Sequence, residues 1–467
     1  MKYTFALLAC LVLILISCGE EKQNIVSSNP DDPGGIRNII ASSTVSQVLA
    51  SNPEEFKLRG NHARLIRTEQ GTRIHVPSDA FVNKGTGDQV DGDVVLTFNE
   101  YHTQGEILAS GIPMTYVNPD GDTVDFESAG MFDIRAFKDG LELELAKDKE
   151  IEVELATDAG GTFEFYAFNE GQENWELKDT ECNPIPNPYI PKQKMELEKL
   201  EEETPETPKK LIEYKAGDPL FDVKRYGAHD QVLDALNGVF WKFTGDSTQI
   251  DPSQDNATFN KNYDFVELKR VDSSSVREYD MVFRDGNEEV VVRAAPIFQG
   301  KLLTRENDRM ARILDQIDYA TRTKAQIEEE LEQEKSLMRM MNIDGMGIYN
   351  YDRQWKDDGA IPFIADFTFD GEHLDEAVAI YMLPKEKRCV IKYTPFTFDK
   401  FRINPSESNR LLAISPKDKV VYVLSSADIK KMNISRKNSG GKLVFDLKKH
   451  GDLIEDAAGV DELIASL

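Results

Sequence analysis

The sequence predicts a mainly β (α+β) protein with two or more antiparallel β-sandwich-like domains and one long amphipathic helix. Residues 46–181 alternate apolar and polar side chains between closely spaced turn signals, as half-buried antiparallel strands do. Strand-like runs return in residues 217–304 and 343–467. In residues 305–342 the apolar side chains instead recur at spacings of three and four, which is typical of a helix.

The N-terminus has the three-part layout of an export signal. Met1-Lys2 precedes an apolar run from Phe5 to Ile16, and Ser17-Cys18 follows it. This layout predicts a signal peptide over residues 1–17. The alternative is a transmembrane helix, but the apolar run has about 12 residues, whereas a membrane span needs roughly 20.

The residues Leu15-Ile16-Ser17-Cys18 resemble the lipobox of bacterial lipoproteins. The resemblance implies cleavage before Cys18 and attachment of acyl chains such as palmitate to that cysteine. One such chain anchors a protein only marginally, whereas two or three hold it firmly. Residues 18–45 are polar and rich in Ser, Asn, Asp, Pro and Gly, which predicts a flexible tether between the membrane and the folded protein.

The composition is that of an acidic globular protein. The 467 residues contain 83 acidic and 55 basic side chains. Removal of residues 1–17 takes away only Lys2 among these, which leaves 54 basic side chains and a formal charge of −29. Such a charge argues against nucleic acid as a partner, because phosphates require a basic surface. It favours solubility and leaves room for a cationic partner.

Residues 46–181 predict a β-sandwich domain. Val94, Leu96 and Phe98 share one side of their strand, and the Ile151-to-Leu155 segment alternates in the same way. Turn signals such as Pro119-Asp120-Gly121-Asp122 separate the strands. Turns at intervals of about 8–12 residues are typical of a sandwich.

Two family resemblances lie in this region. Residues 71–81, with Val76-Pro77 and Ala80-Phe81, resemble the opening of the β-sandwich module of ankyrins, netrin receptors and zonula occludens proteins. The longer pattern through Ser128-Ala129-Gly130 is similar to modules of outer-membrane and surface lipoproteins of the Bacteroidota. The second resemblance implies a lipid-anchored location in the cell outer membrane, surface-exposed or facing the periplasm. It implies no particular activity.

The remaining chain divides by composition. Residues 182–216 form a Pro/Glu-rich linker, 217–304 an α+β region, 305–342 the long helix and 343–467 a C-terminal β-rich region. The helix is either a dimerising coiled coil or a helix packed within its own chain. Lys324 and Glu334 interrupt its apolar stripe, which favours packing within the chain.

Candidate chemistry is sparse. Glu100 and His102 share a face of a predicted strand and, with His75, would offer three zinc ligands; a solvated strand face explains them equally well and is favoured. The acidic stretch from Asn118 to Glu127 offers calcium-type oxygens, but its Asp-Gly-Asp sequence is also a good hairpin turn. The sequence therefore predicts no catalytic residue, no metal site and no cofactor.

The three tryptophans and the cysteines are the remaining side chains that could serve a ligand or a disulfide. Trp175 follows the Phe163-to-Phe168 strand and Trp241 lies within an apolar strand, so both are predicted to be core residues. Trp355 has polar neighbours and is the best candidate for an exposed aromatic contact. Beyond the signal and Cys18, only Cys182 and Cys389 remain. An exported compartment permits a disulfide between them, but two separate thiols are favoured.

These patterns together predict a lipid-anchored envelope protein with a binding, adhesion or structural role. The membrane is contacted through the N-terminal acyl chains, and an envelope protein or a glycan is the expected partner. The alternative is an envelope hydrolase that acts on glycan or peptide. The two differ in what they require, since a hydrolase needs convergent acidic or basic groups in a cleft, whereas a binding protein needs only a complementary surface.

Overall fold

The computed structural model describes residue 49 and residues 53–223, 228–229, 231–255, 259, 261–374, 377–415, 419–451, 454 and 456–467. The predicted signal peptide, the tether over residues 18–45 and Cys18 lie outside these residues. The predicted fold class is confirmed, because the structure is mainly β with several antiparallel sheets. Within the described part of the chain, no helix has the length and apolar character needed to cross a membrane.

Strands predominate along the described chain. The strands before the first long helix are Glu54–Arg59 (β1), Arg64–Arg67 (β2), Arg73–Val76 (β3), Phe81–Asn83 (β4), Asp93–Tyr101 (β5), Thr115–Val117 (β6), Thr123–Lys138 (β7), Leu141–Leu145 (β8), Ile151–Thr157 (β9), Phe163–Asn169 (β10), Asn174–Cys182 (β11) and Ile185–Pro186 (β12). The strands that follow are Ala228–His229 (β13), Phe240–Phe243 (β14), Phe265–Arg270 (β15), Tyr279–Asp285 (β16), Glu288–Ile297 (β17), Leu337–Ile343 (β18), Gly347–Trp355 (β19), Ile361–Phe369 (β20), Ile380–Pro384 (β21), Ile391–Tyr393 (β22), Phe401–Ile403 (β23), Asn409–Ile414 (β24), Val421–Leu424 (β25) and Lys442–Lys449 (β26). The α-helices are Gln104–Ser110 (α1), Tyr189–Glu203 (α2), Gln231–Ala235 (α3), Gly300–Gln333 (α4), Ser426–Lys431 (α5) and Ala457–Ser466 (α6), with 3₁₀ turns at Phe398–Lys400 and Arg436–Asn438.

The chain forms two compact units, and the first is discontinuous in sequence. The first unit ends at Asn187 and resumes at Lys335, and the second spans Pro188–Glu334. The two chain segments of the first unit meet at this break, because β12 near the end of the first segment pairs antiparallel with β18 near the start of the second. The second unit is therefore an insertion between two paired strands.

The first unit contains the predicted β-sandwich. One sheet has the strand order β1-β5-β7-β19-β10-β11, with β6 and β8 beside β7 and β4 beside β8; the other has the order β12-β18-β9-β3-β2. Apolar side chains of both sheets meet in one core, including Leu96, Phe98, Phe132 and Tyr349 from the first sheet and Ile74, Val153 and Leu155 from the second. The period-two pattern of the sequence thus places one face of each strand in this core.

A third sheet, of order β22-β21-β24-β25-β26-β20-β23, completes the first unit. Its strands β21 and β24 are buried on both faces, whereas β20 exposes alternate residues on one face. Tyr381 and Leu383 join a core that also holds Trp175 and residues of α1 and α6, whereas Ile380 and Met382 join a separate core with β20 and β26.

A β-bulge interrupts β7, an interior strand of the first sheet. Gly130 pairs with Tyr351 and Ser128 pairs with Asp352, so Ala129 is an extra residue with no partner in β19. Gly130 has φ of 149°, and a Cβ atom there would lie 2.9 Å from Leu155 Cδ2. The site therefore requires glycine, and the bulge frees the Ser128 N–H to bond outside the sheet.

The second unit is an antiparallel sheet with a helical pair. The sheet order is β13-β15-β16-β17-β14, in which β13 alone is parallel to its neighbour. Trp241, Met281 and Val292 lie in its core. Helix α4 packs against α2 of the same chain, where Gln193 Nε2 donates to Glu330 Oε2 at 3.0 Å and Lys324 pairs with Glu201. This packing agrees with the favoured alternative for the long helix.

Three sequence-based boundaries differ from the structure. The helix predicted over residues 305–342 ends at Gln333, because Leu337–Ile343 instead forms a strand that pairs with β9 along its whole length. The predicted linker 182–216 contains β12 and the 15-residue helix α2. Strand β19, assigned to the C-terminal region 343–467, lies in the first sheet of the sandwich between β7 and β10. Pairing with a distant strand decides the structure of β12, β18 and β19, and local composition does not record such pairing. Helix α2 instead packs against α4.

Candidate functional site

A pocket opens in the first unit beside the start of β7 and the end of β19. Its volume is about 290 Å³, and it is lined by residues that include Asp125, Trp355, Met382, Ile391, Tyr393 and Arg402. We call it the Trp355 pocket. These residues are far apart in sequence, and the antiparallel pairing of β7 with β19 and of β21 with β22 brings them together.

The register of β7 and β19 places an acid beside the indole. Trp355 and Asp125 are direct cross-strand partners, and such partners have Cβ atoms about 4.5–5.5 Å apart. Trp355 is half-buried and packs against the core of the third sheet. Its ring is therefore held in place by the fold while part of it remains accessible.

The floor of the pocket is apolar and rigid. Met382, Ile391 and Tyr393 are all buried. The hydroxyl of Tyr393 donates to the Arg402 carbonyl oxygen at 3.3 Å and accepts from the Arg402 N–H at 3.4 Å. This fixes the phenol ring relative to β23, the strand that carries Arg402.

Polar groups converge above this floor. Burial raises the pKa of Asp125 from 3.8 to about 6, although the charge of Arg402 opposes the shift. Asp357 accepts hydrogen bonds from the Gly359 N–H at 2.9 Å and from Asn404 Nδ2 at 2.8 Å. The pocket thus combines an aromatic surface, an apolar floor, carboxyl groups and a guanidinium, which is the mixed lining typical of small-molecule sites.

The three residues weighed as zinc ligands do not meet at one site. Glu100 and His102 form a buried pair in which the carboxylate lies 2.9 Å from His102 Nε2, with side chains 2% and 6% exposed. Thr72 donates to the same carboxylate at 2.6 Å. The solvated strand face that we favoured for them is therefore wrong. His75 belongs to the second sheet and faces Glu154 at 3.3 Å, and no group of three potential metal ligands occurs in the described part of the chain.

The acidic segment from Asn118 to Glu127, for which calcium is the less favoured interpretation, contains the hairpin turn between β6 and β7 and the first residues of β7. Asn118 Oδ1 accepts the N–H groups of Asp120 and Asp122 at 3.1 and 2.8 Å, so the backbone of the turn itself occupies this oxygen. The acids farther along face different places, since Asp125 lines the Trp355 pocket and Glu127 pairs with Arg353.

The other predicted residues lie in cores. Trp175 and Trp241 are 2% and 0% exposed, which confirms their predicted role in packing. Cys182 and Cys389 are both buried free thiols, which confirms the favoured alternative to a disulfide. Burial raises the pKa of the Cys182 thiol to about 11 and that of Cys389 well above its usual value, so neither is activated as a nucleophile.

Sequence reasoning selected Trp355 but missed the residues around it. In the sequence, Asp125 stands out only as one acid of the Asn118-to-Glu127 stretch, and Tyr393 and Arg402 belong to no recognisable motif. A local signal existed for Asp125, because it is a polar residue at the start of a long strand. No local pattern shows that β7, β19 and β22 meet.

No protein-family model, no curated protein and no solved structure matches the chain. The chemistry of the pocket and the N-terminal sequence therefore carry the functional assignment.

Proposed function

We propose that this protein is a lipid-anchored envelope protein that binds a glycan in the Trp355 pocket. The observation that carries the proposal is the half-buried Trp355, paired with Asp125 above an apolar floor. A sugar ring has an apolar C–H face that packs on an aromatic ring, and hydroxyl groups at its edge that hydrogen-bond to carboxylate and guanidinium groups. The volume is near the lower limit for ligand pockets, roughly 300 Å³, which suits a single sugar ring.

The binding proposal is tested by Trp355→Ala. The full-length chain, purified in detergent, is screened on an oligosaccharide array, and the affinity for the best ligand is measured by calorimetry. Loss of the indole removes most of the apolar contact, which amounts to about 2 kcal/mol, or a roughly 30-fold weaker Kd. Tyr319→Ala is the matched control, because it removes a 63% exposed aromatic side chain from α4 in the second unit.

Two outcomes of this experiment would contradict the proposal. The first is that the wild-type chain binds no glycan on the array. The second is that Trp355→Ala and Tyr319→Ala bind the ligand equally well.

The proposed anchorage rests on the export signal and on Cys18. Acyl chains on this cysteine would hold the acidic protein in the outer membrane, and two or more chains suffice for stable attachment. Cys18→Ala is expected to move the protein from the membrane fraction to the soluble fraction, and mass spectrometry of the wild-type N-terminus is expected to show an acylated cysteine. A Cys18→Ala protein that stays equally membrane-bound would refute the anchor, and protease treatment of intact cells distinguishes surface display from a periplasm-facing position.

One observation favours glycan hydrolysis as the second candidate. A carboxyl group with a pKa of about 6, as Asp125 has, holds a proton close to neutral pH, which a general acid requires. Asp357 lines the same pocket. The hydrolase candidate predicts product release from the bound glycan that Asp125→Asn abolishes while binding remains. Unchanged glycan after prolonged incubation with the wild-type protein would leave binding as the function.

A further inference from the structure

A second cavity lies beside the Trp355 pocket, and cationic side chains line it. It has a volume of about 420 Å³ and is bordered by Arg353, Lys385, Lys387 and Arg388. We call it the cation-lined cavity. The positive charge of these four side chains is opposite in sign to that of the whole chain, which carries a formal net charge of −28. A cluster of four cations around one cavity is therefore unusual in this acidic chain.

The cations exceed the acids that could neutralise them. Glu127 is engaged by Arg353 at 2.8 Å and by Lys387 at 3.5 Å, and Asp158 is engaged by Lys335 at 3.4 Å. With Glu386, the lining holds three carboxylates against four cations. Just outside it, Lys335 pairs with Asp158 and the charge of Lys387 acts on Glu407, so the cations remain in excess by one. Among the described residues, the side chains of Lys385 and Arg388 form neither a hydrogen bond nor an ion pair within 4 Å.

Buried polar groups hold the Pro384–Cys389 loop, which carries Lys385, Lys387 and Arg388. Gln104 Nε2 donates to the carbonyl oxygens of Pro384, Lys387 and Cys389 at 2.8–2.9 Å. Buried Arg410 in turn donates to Gln104 Oε1 at 2.8 Å.

The bulge in β7 provides the other support of the loop. Its free Ser128 N–H donates to the Arg388 carbonyl oxygen at 2.9 Å. A loop held in this way loses little conformational freedom when a ligand binds, which favours affinity.

The two cavities follow one another along the same pair of strands. Arg353 pairs with Glu127 across β7 and β19, and Trp355 pairs with Asp125 two residues farther on. Residues two apart on a strand share a face and lie about 7 Å apart. The guanidinium of Arg353 also lies over the ring of Phe163, 5.1 Å from its centroid, which fixes its position. One ligand of modest length can therefore contact both cavities.

We infer that the ligand is an acidic glycan, with a sugar ring on Trp355 and a carboxylate or sulfate group in the cation-lined cavity. This inference rests on the proposed glycan binding and adds the chemical class of the ligand. Lys385 and Arg388 supply cationic groups with no ion-pair partner within 4 Å in the part of the chain that the structure describes, although the charge of Arg388 also acts on Asp158. An anion that accepts hydrogen bonds from charged donors is bound more strongly than a neutral group.

The test compares neutral and acidic forms of the same sugars on the full-length chain in detergent. An array carries neutral gluco-, galacto- and manno-trisaccharides, each beside its uronate counterpart and its 6-O-sulfate counterpart, and calorimetry follows on the best matched set. The expected preference for an acidic form over its neutral parent is about tenfold or more. The uronate and sulfate arms show which anion is preferred. Salt of about 0.5 M should reduce the preference, because screening acts on the charged contact.

Variants separate this inference from the proposed function. Lys385→Ala/Arg388→Ala is expected to abolish the preference and to leave affinity for the neutral sugar unchanged, whereas Trp355→Ala weakens both ligands. Lys147→Ala/Lys437→Ala is the control, since it removes the same charge from two exposed positions of the first unit. Equal affinity for neutral and acidic sugars, or a preference that survives the Lys385→Ala/Arg388→Ala changes, would overturn the inference and leave glycan binding intact. Failure of every sugar to bind would overturn both.

Discussion

At the scale of single residues, Asp125 links the pocket to the pH dependence of stability. Its folded-state pKa of about 6 exceeds the ordinary value of 3.8, chiefly because burial disfavours the charged form. The folded state therefore binds this proton more tightly than the unfolded chain does. By linkage, the contribution of Asp125 to the free energy of unfolding is highest below pH 4 and falls as the pH rises through about 6.

Asp125→Asn should abolish this decrease in the free energy of unfolding with rising pH. Urea denaturation of the wild type and the variant at steps between pH 4 and 7 is expected to show the wild type losing stability relative to the variant across that interval. Asp120→Asn is the control, because it changes an exposed acid in the preceding turn. Stability curves for wild type and Asp125→Asn that run parallel from pH 4 to 7 would contradict the assigned pKa.

The buried Glu100–His102 pair shows that the strand pattern predicts the direction of a side chain but not its hydrogen-bond partners. Glu100 continues the period-two series of Val94, Leu96 and Phe98, so the alternation itself points its side chain toward the core. Polarity led us to place it in solvent instead. The carboxylate is tolerated there because Thr68, Thr72 and His102 all bond to it. The two threonines flank a distant turn at residues 69–71, which the sequence does not connect to β5.

At the scale of elements, the Pro384–Cys389 loop depends on Gln104. Gln104→Met should leave three loop carbonyls without their buried donor, at a cost of about 2–4 kcal/mol in the free energy of unfolding. The loop should also exchange its amide hydrogens faster. Denaturation and hydrogen exchange measure the two effects, with the exposed Gln172→Ala as control. Unchanged exchange in the loop would show that other contacts hold it.

The long helix shows why an element's end is harder to predict than its existence. The spacing of Met310, Ile313 and Ile317 correctly indicates a helix, and Met338 continues the spacing. In the structure Met338 is a strand residue, because β18 lies between β9 and β12. Its neighbour Arg339 is fully buried and donates to the carbonyl oxygens of Ala159 and Gly161 at 2.8 Å. These partners are remote in sequence, so only the folded sheet reveals that the helix must stop.

At the scale of the whole molecule, the sequence pattern predicts which secondary structures are present but not which segments combine into one compact unit. A division by composition yields consecutive segments, whereas the first unit resumes after an insertion of a complete second unit. The Trp355 pocket depends on this connection, because β19 follows the inserted unit in sequence and pairs with β7, which precedes it. The indole was identifiable as an exposed candidate from its polar neighbours. Its acidic partner was not, since the pairing spans the insertion.

The insertion predicts that the first unit folds without the second. Asn187 and Lys335 are adjacent, since Asn187 Nδ2 donates to the Lys335 carbonyl oxygen at 2.9 Å and the Asn187 N–H donates to Ser336 at 3.0 Å. A chain in which a tight Asn-Gly turn replaces residues 188–334 would join β12 to β18 as an ordinary hairpin. This shortened chain is expected to unfold in one cooperative transition, measured by thermal denaturation, and to retain the proposed glycan binding, measured by calorimetry. Removal of residues 188–343 is the matched control, because it also deletes β18 from the middle of its sheet and should prevent folding. If both shortened chains fail to fold, the first unit depends on the second, and the prediction is wrong.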